Sequence, residues 1–522
     1  MRKTASLVFW ALASCASANA QPVIKIALGS SGTNSTISGR LVVLLKPVDS
    51  TLKDDPIEGP FWEQPLPIFG INVVEALQGS DVTLPDSADG FPTVLRDLPP
   101  GTYKVQARLD RHRLDSNWRR EPGNLFTGKI VEFTFKAGER PVVSLALDRE
   151  TDLKPLPTVE GCEWFEIESR LLSDFRGRPV KLRAGVVLPL DYDPKKSYAA
   201  VYEVPGFGGD HTSASGRARR LRGAGSDSAE AALARQAFWI VLDPEGPNGH
   251  TLFVDSANNG PCGKALVEEL IPALEAKYSL AAKPQRRLLR GHSSGGWSTL
   301  WLATEYPDTF GATWSSSPDP VDFRRFQLSD IENDPNIYGP PTGETSRSAL
   351  PAATLDDHGS PHWVSYRRAG KVLMTAEREL MQEDVMGPDN TSAQQWDSWF
   401  AAWGPRNAAG NPAALFDPAS GKIDHAVARQ YARFDIAKRL RDKPDVFGPI
   451  FRDRVRLIVG DADNFFLEQA VFLLKDDLSA LKMTGGKGSL KIIPGKDHGS
   501  IYATPEIRAI TREMIDHLAV NP

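Results

Sequence analysis

The sequence predicts a doubly wound, mostly parallel α/β sheet carrying a helical insertion, preceded by a small all-β sandwich. Three observations carry this. After Tyr198, apolar runs of strand length alternate with helical segments, the pattern of a parallel sheet covered on both faces. Before Asp152 there are only short β-like runs between Pro- and Gly-rich turns. Between Leu289 and Trp297, an apolar strand gives way to a helical run through Gly291-His292-Ser293-Ser294-Gly295. The 522 residues, 41% hydrophobic, allow two domains and an insertion at roughly 100–200 residues per domain. A net charge of −5 gives no reason to expect nucleic acid or an anionic membrane as partner.

Residues 1–20 have the anatomy of a secretory signal peptide. Met1-Arg2-Lys3 is basic, Ala5 to Ala13 is apolar but too short to span a bilayer, and Ala18-Asn19-Ala20 offers a cleavage site before Gln21. Export to the periplasm or beyond follows, with no transmembrane segment. Leu12-Ala13-Ser14-Cys15 also resembles a lipobox, so a lipid anchor at Cys15 stands as the alternative to soluble export. Without Cys15, Cys162 and Cys262 remain. In an oxidising compartment they form either one disulfide, worth about 4 kcal/mol in the chain-entropy model, or two buried thiols. No Cys/His cluster suggests a metal, and Gly359 and Pro361 keep His358 and His362 off a common helix face. No cofactor is expected.

In the first module, residues 22–152, strands are expected at Val23–Leu28, Gly39–Leu45, Gly101–Ala107 and Val142–Leu147. Leu95 to Tyr103 resembles the hairpin of extracellular immunoglobulin- or transthyretin-like modules. Lys154-Pro155-Leu156-Pro157 is the linker to a catalytic domain over 158–522. There Cys162–Ser169 and Val180–Pro189 alternate as an antiparallel edge hairpin, and Tyr198–Val204 and Ala237–Asp243 are buried strands. Cys262–Tyr278 is an amphipathic helix with Leu266, Leu270 and Leu274 on one side. Loop-rich sequence and helices over about 318–448 read as a lid inserted into the sheet. Its aromatic stripe, Trp396, Trp399, Phe400 and Trp403, has the spacing of a helix burying one face. The sheet resumes at Val455–Val459, followed by a helix from Leu467 to Lys482, a strand at Ser489–Ile493 and a terminal helix from Pro505.

The pentapeptide fits G-x-S-x-G, in which a strained strand-to-helix turn lifts a serine hydroxyl above the sheet. That serine is Ser293. A hydroxyl is a poor nucleophile until a neighbouring base takes its proton and a third group orients that base. In α/β-hydrolases these partners follow in the order Ser, Asp/Glu, His, each after a strand. Of nine histidines, His498 follows the final strand, whereas His358 precedes the acidic strand and lies in the insertion. The acid is Asp463, with Asp461 as the alternative, and a turn capped by both side chains as the non-catalytic reading. The oxyanion donors expected are the N–H groups of Ser294 and of Phe207, the latter in the Gly206-Phe207-Gly208-Gly209 loop. Arg217, Arg219, Arg220 and Arg222 either bind an acidic substrate group or form a solvated charged face.

Pro205 to Gly209, Glu269-Leu270-Ile271-Pro272 before Lys277-Tyr278, Gly291 to Gly296, Asp463 and His498 together resemble the putative esterase family. That family includes esterase D (S-formylglutathione hydrolase), enterochelin esterases, feruloyl esterases and mycolyltransferases. The resemblance covers roughly 160–320 and 450–515. It implies an α/β-hydrolase fold, Ser293 as nucleophile, His498 as base, Asp463 as its orienter, and acyl transfer from a small-molecule or glycan-linked ester. One departure is Pro205, where relatives often carry His. Hydrolysis has as rivals transfer to an alcohol through the same triad and, from another class, polysaccharide binding beside an idle hydrolase domain. Substrate-binding residues and oligomeric state are not legible.

Overall fold

The computed structural model describes residues 21–29, 35–61, 64–338, 364–369 and 371–521. The signal-peptide reading, Cys15, His358 and His362 lie outside the described residues. The central sheet has eight strands: Cys162–Glu168, Lys181–Val187, Ala199–Val204, Ala237–Leu242, Arg287–His292, Ala312–Ser316, Val455–Gly460 and Ser489–Ile493. Numbered in sequence, they lie side by side as 1-2-4-3-5-6-7-8. Only the second runs antiparallel to its neighbours. Ala237–Leu242 and Val455–Gly460 are buried throughout, which is why they read as near-continuous apolar runs. The third and fifth strands are adjacent although the fourth separates them in the chain. The loops after them therefore meet at one carboxyl edge, where doubly wound sheets place their ligands.

Helices cover both faces. On one face Leu266, Leu270 and Leu274 pack against Tyr202, Phe238 and Leu289, as their spacing predicts. That helix carries a π-helical turn over Leu266–Leu270, two residues before Pro272, whose ring nitrogen has no hydrogen to donate. On the other face the terminal helix Pro505–Ala519 and the Ala214–Arg222 helix cover Val201, Leu288 and Ile458. The edge hairpin contains a helix, Arg170–Arg176, that the alternation of its flanking strands does not announce. Ser169 caps it by accepting from the Leu172 N–H, and Gly177 ends it in a left-handed conformation. Cys162 and Cys262 are free thiols in the cores on opposite faces of the sheet, so they do not bridge. Burial pushes the Cys262 thiol up to about 12.

The N-terminal region holds a three-stranded and a seven-stranded sheet. Ile24, Ile26, Leu41, Val43, Phe69, Val105, Val143 and Leu145 belong to one core between them. Leu95 to Tyr103 is not a hairpin. A 3₁₀ turn at Leu95–Asp97 leads into the Gly101–Asp110 strand, because Pro99 and Pro100 have no N–H to give a ladder. The Tyr103 hydroxyl instead closes the corner by donating to Pro99 O at 2.7 Å.

Between the sixth and seventh strands lie the helices Ala376–Met386, Gln395–Trp403, His425–Tyr431, Ile436–Asp442 and Pro444–Arg454. A hairpin of Val364–Arg368 with Lys371–Thr375, absent from the sequence reading, precedes them. The aromatic stripe is core: Trp396, Trp399, Phe400 and Trp403 are at most 2% exposed. Trp403 meets Trp297, on the helix after the elbow, at 5.2 Å between ring centroids.

The N-terminal region is bolted to both other parts. Arg40 donates to Val385 O at 2.9 Å and pairs with Asp89 at 2.6 Å. Arg120 pairs with Asp210 at 3.0 Å, Asp243 at 2.5 Å and Asp115 at 3.2 Å. A cleft of about 1030 Å³ runs beside this junction between Trp118, Phe126, Trp164 and the Asp210–Thr212 segment. A smaller cavity of about 310 Å³ is lined by Glu121 and Glu245. Burial pushes these carboxyls up, Glu121 to about 7 and Glu245 to about 8, with Asp110 acting on the first and Asp243 on the second. Both hold protons in the fold at pH values where the unfolded chain has lost them. Their contribution is complete below about pH 4.5 and disappears as pH rises through 7 and 8. The melting temperature should therefore fall between pH 6 and 9. In Glu245→Gln the fall should be smaller by about 2 °C or more; equal slopes in a thermal-melt pH series would contradict this.

Candidate active site

The elbow is built by close backbone approach. A methyl group on Gly291 would stand 2.1 Å from Gly295 O, and one on Gly295 would stand 2.0 Å from Val204 O. No side chain fits either place, so the strand and helix can touch only with glycine there. Between them Ser293 is held at φ 59° and ψ −130°, a conformation that costs a non-glycine residue on the order of 1–3 kcal/mol. Its N–H donates to Ser316 O at 3.0 Å and its carbonyl accepts from Trp297 N at 3.0 Å. Both ends of the strained residue are thus pinned.

His498 meets Asp463 through Nδ1 and Oδ2 at 2.7 Å. This leaves Nε2 as the nitrogen free for proton transfer. Asp463 is fully buried and its Oδ1 accepts from the Phe465 N–H at 2.9 Å. Asp461 is exposed and instead accepts from the Gly495 N–H at 2.6 Å, so of the two aspartates it is Asp463 that touches the histidine. The His498 ring packs on His292, next to Ser293, at 4.4 Å between centroids, and edge-on to Phe465 at 5.0 Å. Burial works against the His498 imidazolium, but the charge and hydrogen bond of Asp463, with Asp319 behind them, raise its pKa above the ordinary value. His292 goes the other way: burial, then His498 and Arg290, hold it neutral well below 6.5. The two neighbouring imidazoles therefore do not compete for a proton.

The insertion grips this pair from behind. Asn464 Oδ1 accepts from the His498 N–H at 3.1 Å, while its Nδ2 donates to Arg367 O at 2.7 Å. Arg367, on the hairpin, donates to Asp463 O at 3.0 Å and pairs with buried Glu468 at 2.9 Å. Neither residue belongs to a motif, and their contacts span about a hundred residues of sequence.

The Gly206–Gly209 loop lies against the elbow. A methyl group on Gly206 would be 3.3 Å from Ser293 Cβ and 3.9 Å from its Oγ. The loop is a turn closed by Gly209 N donating to Gly206 O at 2.9 Å, with Gly208 at φ 74°, so Phe207 sits at its crest with an N–H the turn does not use. Ser294 is the first residue of the following helix, and its N–H has no acceptor within that helix. His250, fully buried, fixes the loop. The Leu252 N–H donates to Nδ1 at 3.1 Å, so the ring proton is on Nε2 and donates to Pro205 O at 3.0 Å. Burial lowers its pKa to about 4 despite that bond, which keeps it neutral. Pro205 thus obtains from outside its own loop the contact that a local side chain could have supplied.

Two members of the arginine segment, Arg217 and Arg222, are committed elsewhere, and Arg219 is exposed. Arg217 holds half-buried Glu203 at 2.7 Å and lies 4.3 Å over the Trp239 ring, and Arg222 donates to Glu160 O at 2.7 Å. Arg220 is an exposed partner of Glu230 at 3.9 Å.

Residues 178–404 match the family model described as Putative esterase. Over these residues the chain is similar to that esterase family. None of the curated proteins matches it. Among solved structures, the S-formylglutathione hydrolase of Agrobacterium tumefaciens is 13% identical, covering 70% of this chain and 95% of its own, with a TM-score of 0.36. A ferulic acid esterase of Anaeromyces mucronatus is 13% identical, covering 69% and 92%, with a TM-score of 0.30. The serine hydrolase FphF of Staphylococcus aureus is 13% identical, covering 68% and 98%, with a TM-score of 0.36. The match points to an esterase, and the matched residues lie largely on the eight-stranded, doubly wound α/β sheet. Among its described helices none is long and apolar enough to cross a membrane.

The esterase offers a direct check on the loop support. Replacing His250 by Ala should lower kcat on p-nitrophenyl acetate about tenfold, part of the 10²–10³ that loss of an oxyanion donor costs. His250→Gln, whose amide can reach the same carbonyl, should recover much of it. Equal kinetics for all three proteins would show that the loop stands without this bond.

Proposed function

We propose that the chain is an exported serine carboxylic-ester hydrolase working through Ser293, His498 and Asp463. The observation that carries this reading is the 2.7 Å His498–Asp463 bond beside a serine held in a strained elbow. His498 Nε2 takes the Ser293 proton as Oγ attacks the ester carbonyl carbon. The oxyanion rests on the N–H groups of Ser294 and Phe207. Collapse expels the alcohol, which His498 protonates, and water repeats the sequence to release the acid. Asp463 orients the ring and stabilises its charged form.

In this reading residues 1–20 are a signal peptide and the N-terminal module is a sandwich packed on the catalytic domain. The segment between the sixth and seventh strands is a lid over the site. Its hold on Asp463 and Asn464 through Arg367 supports that role.

Ser293→Ala should lose at least about 10⁴-fold in turnover of p-nitrophenyl acetate while its thermal melt stays close to wild type. A fluorophosphonate probe should label the wild type and not this variant. Activity at the wild-type level in Ser293→Ala sinks the assignment. Because His498 must be neutral to act as base, kcat/KM should rise with pH through a midpoint above 6.5. Asp463→Asn should lower that midpoint together with the rate. Product analysis with an added alcohol acceptor separates hydrolysis from acyl transfer to that alcohol.

A further inference from the structure

Asp319 lies just beyond the Ala312–Ser316 strand and is 1% exposed. Its Oδ2 accepts from Ser294 Oγ at 2.7 Å and from Trp399 Nε1 at 2.8 Å, and its backbone N–H reaches Ser293 O at 3.4 Å. A carboxylate this deep is retained only where donors hold it, because losing them leaves a buried charge unsatisfied. The identity of the donors is informative. One belongs to the residue whose N–H is the expected oxyanion donor, and the other belongs to the Gln395–Trp403 helix of the insertion. The charged groups that act on Asp319 are His498, after the eighth strand, and Asp463, after the seventh.

We propose that Asp319 is a positioning residue of the acyl-transfer site. It clamps the Ser294 hydroxyl against Trp399, fixing the N–H that receives the oxyanion, and its charge supports the His498 imidazolium formed when Ser293 gives up its proton. The inference rests on the reading of Ser293 and His498 given above. Burial pushes the Asp319 carboxyl up to about 6, against the pull of Trp399, Ser294 and His498, and Asp463 adds to the rise. Asp319 is therefore charged at neutral pH and loses that charge, and its support for His498, as pH falls through 6.

Asp319→Asn keeps the shape and removes the charge. The expected result is a kcat about tenfold lower with KM changed less than about twofold, since the affected interaction belongs to the transition state. The acid limb of kcat/KM should also move to lower pH by about half a unit. The sign follows from the charge: without a negative neighbour the imidazolium is less stable and His498 deprotonates at lower pH. A merely structural role would leave the limb in place, so a wild-type limb in Asp319→Asn overturns the proposal whatever its kcat. Should that variant not fold, Ser294→Ala and Trp399→Phe carry the test. Each should lower kcat more than it raises KM, and together they should be non-additive because they share one carboxylate. Additive effects overturn the proposal. If Ser293→Ala retains activity, the parent reading fails with it; if Ser293→Ala is inert while Asp319→Asn behaves as wild type, this inference alone fails.

Discussion

The contact on which the rest of the site depends is the one between Gly295 and the carbonyl of Val204, where a single methyl group would stand 2.0 Å from oxygen. It lets the helix after the elbow dock on the end of the neighbouring strand. Ser293 is then forced into its strained turn, and the loop after Val204 is brought to within reach of its hydroxyl. The strain is held by bonds at both ends of the residue, its N–H donating to Ser316 O and its carbonyl accepting from the Trp297 N–H, and by a helix whose Trp297 and Leu300 are wholly buried. A core of this kind over-determines one backbone conformation, which is the condition under which strain survives in a folded protein.

The partners of Ser293 are secured differently. Asp463 and His498 sit on two loops laced together by the Ala462 N–H donating to Lys496 O, the Gly495 N–H to Asp461 and the His498 N–H to Asn464. The insertion adds to this: Arg367 donates to the Asp463 carbonyl, and Asn464 ties the hairpin to the His498 backbone. Phe465 carries the connection outward. It packs on His498 on one side and joins Tyr366, Met374 and the N-terminal residues Val42, Leu44 and Phe91 on the other. A continuous apolar path therefore runs from the first module to the edge of the candidate base. Both accessory parts contribute to rigidity where proton transfer demands it, and neither needs to touch a substrate to matter.

These two modes of support explain what could be read from the chain. Glycine spacing at 291, 295 and 296, the order of apolar strands and the late Asp and His are local signals, each fixed by backbone geometry over a few residues. They were legible, as was the buried stripe from Trp396 to Trp403. Asp319 stands between two prolines like any turn residue. His250 is 45 residues from the carbonyl it holds, and Arg367 is 96 from the Asp463 carbonyl. Nothing in local composition marks them, because their meaning comes from tertiary pairing. The choice between Asp461 and Asp463 is a similar case: both lie in one turn, and only the path of the Pro494–His498 loop, which gives one a backbone N–H and the other an imidazole, separates them. The hairpin at Val364–Thr375 was missed for a related reason, since its strands take their apolar partners from Val42 and Ile68, residues three hundred positions away.

Arg120 extends the same logic to the junction of the modules. It is a single guanidinium facing three carboxylates, Asp115 from its own side and Asp210 and Asp243 from the catalytic sheet. Asp210 follows Gly209 directly, so the cation is anchored one residue past the loop that carries Phe207. Asp243 also holds His211 at 3.0 Å, and with Arg120 it is pulled down to about 2 against the cost of burial. A half-buried charge network of this density is poor at adding net stability but strict about geometry, since removing any one member leaves the others unpaired. Its position argues that the N-terminal module sets the base of the Gly206–Gly209 loop, with His250 holding that loop through Pro205. The loop is then fixed at both ends by residues from outside it, as the proposed oxyanion donor Phe207 would require to meet a developing charge without reorganising.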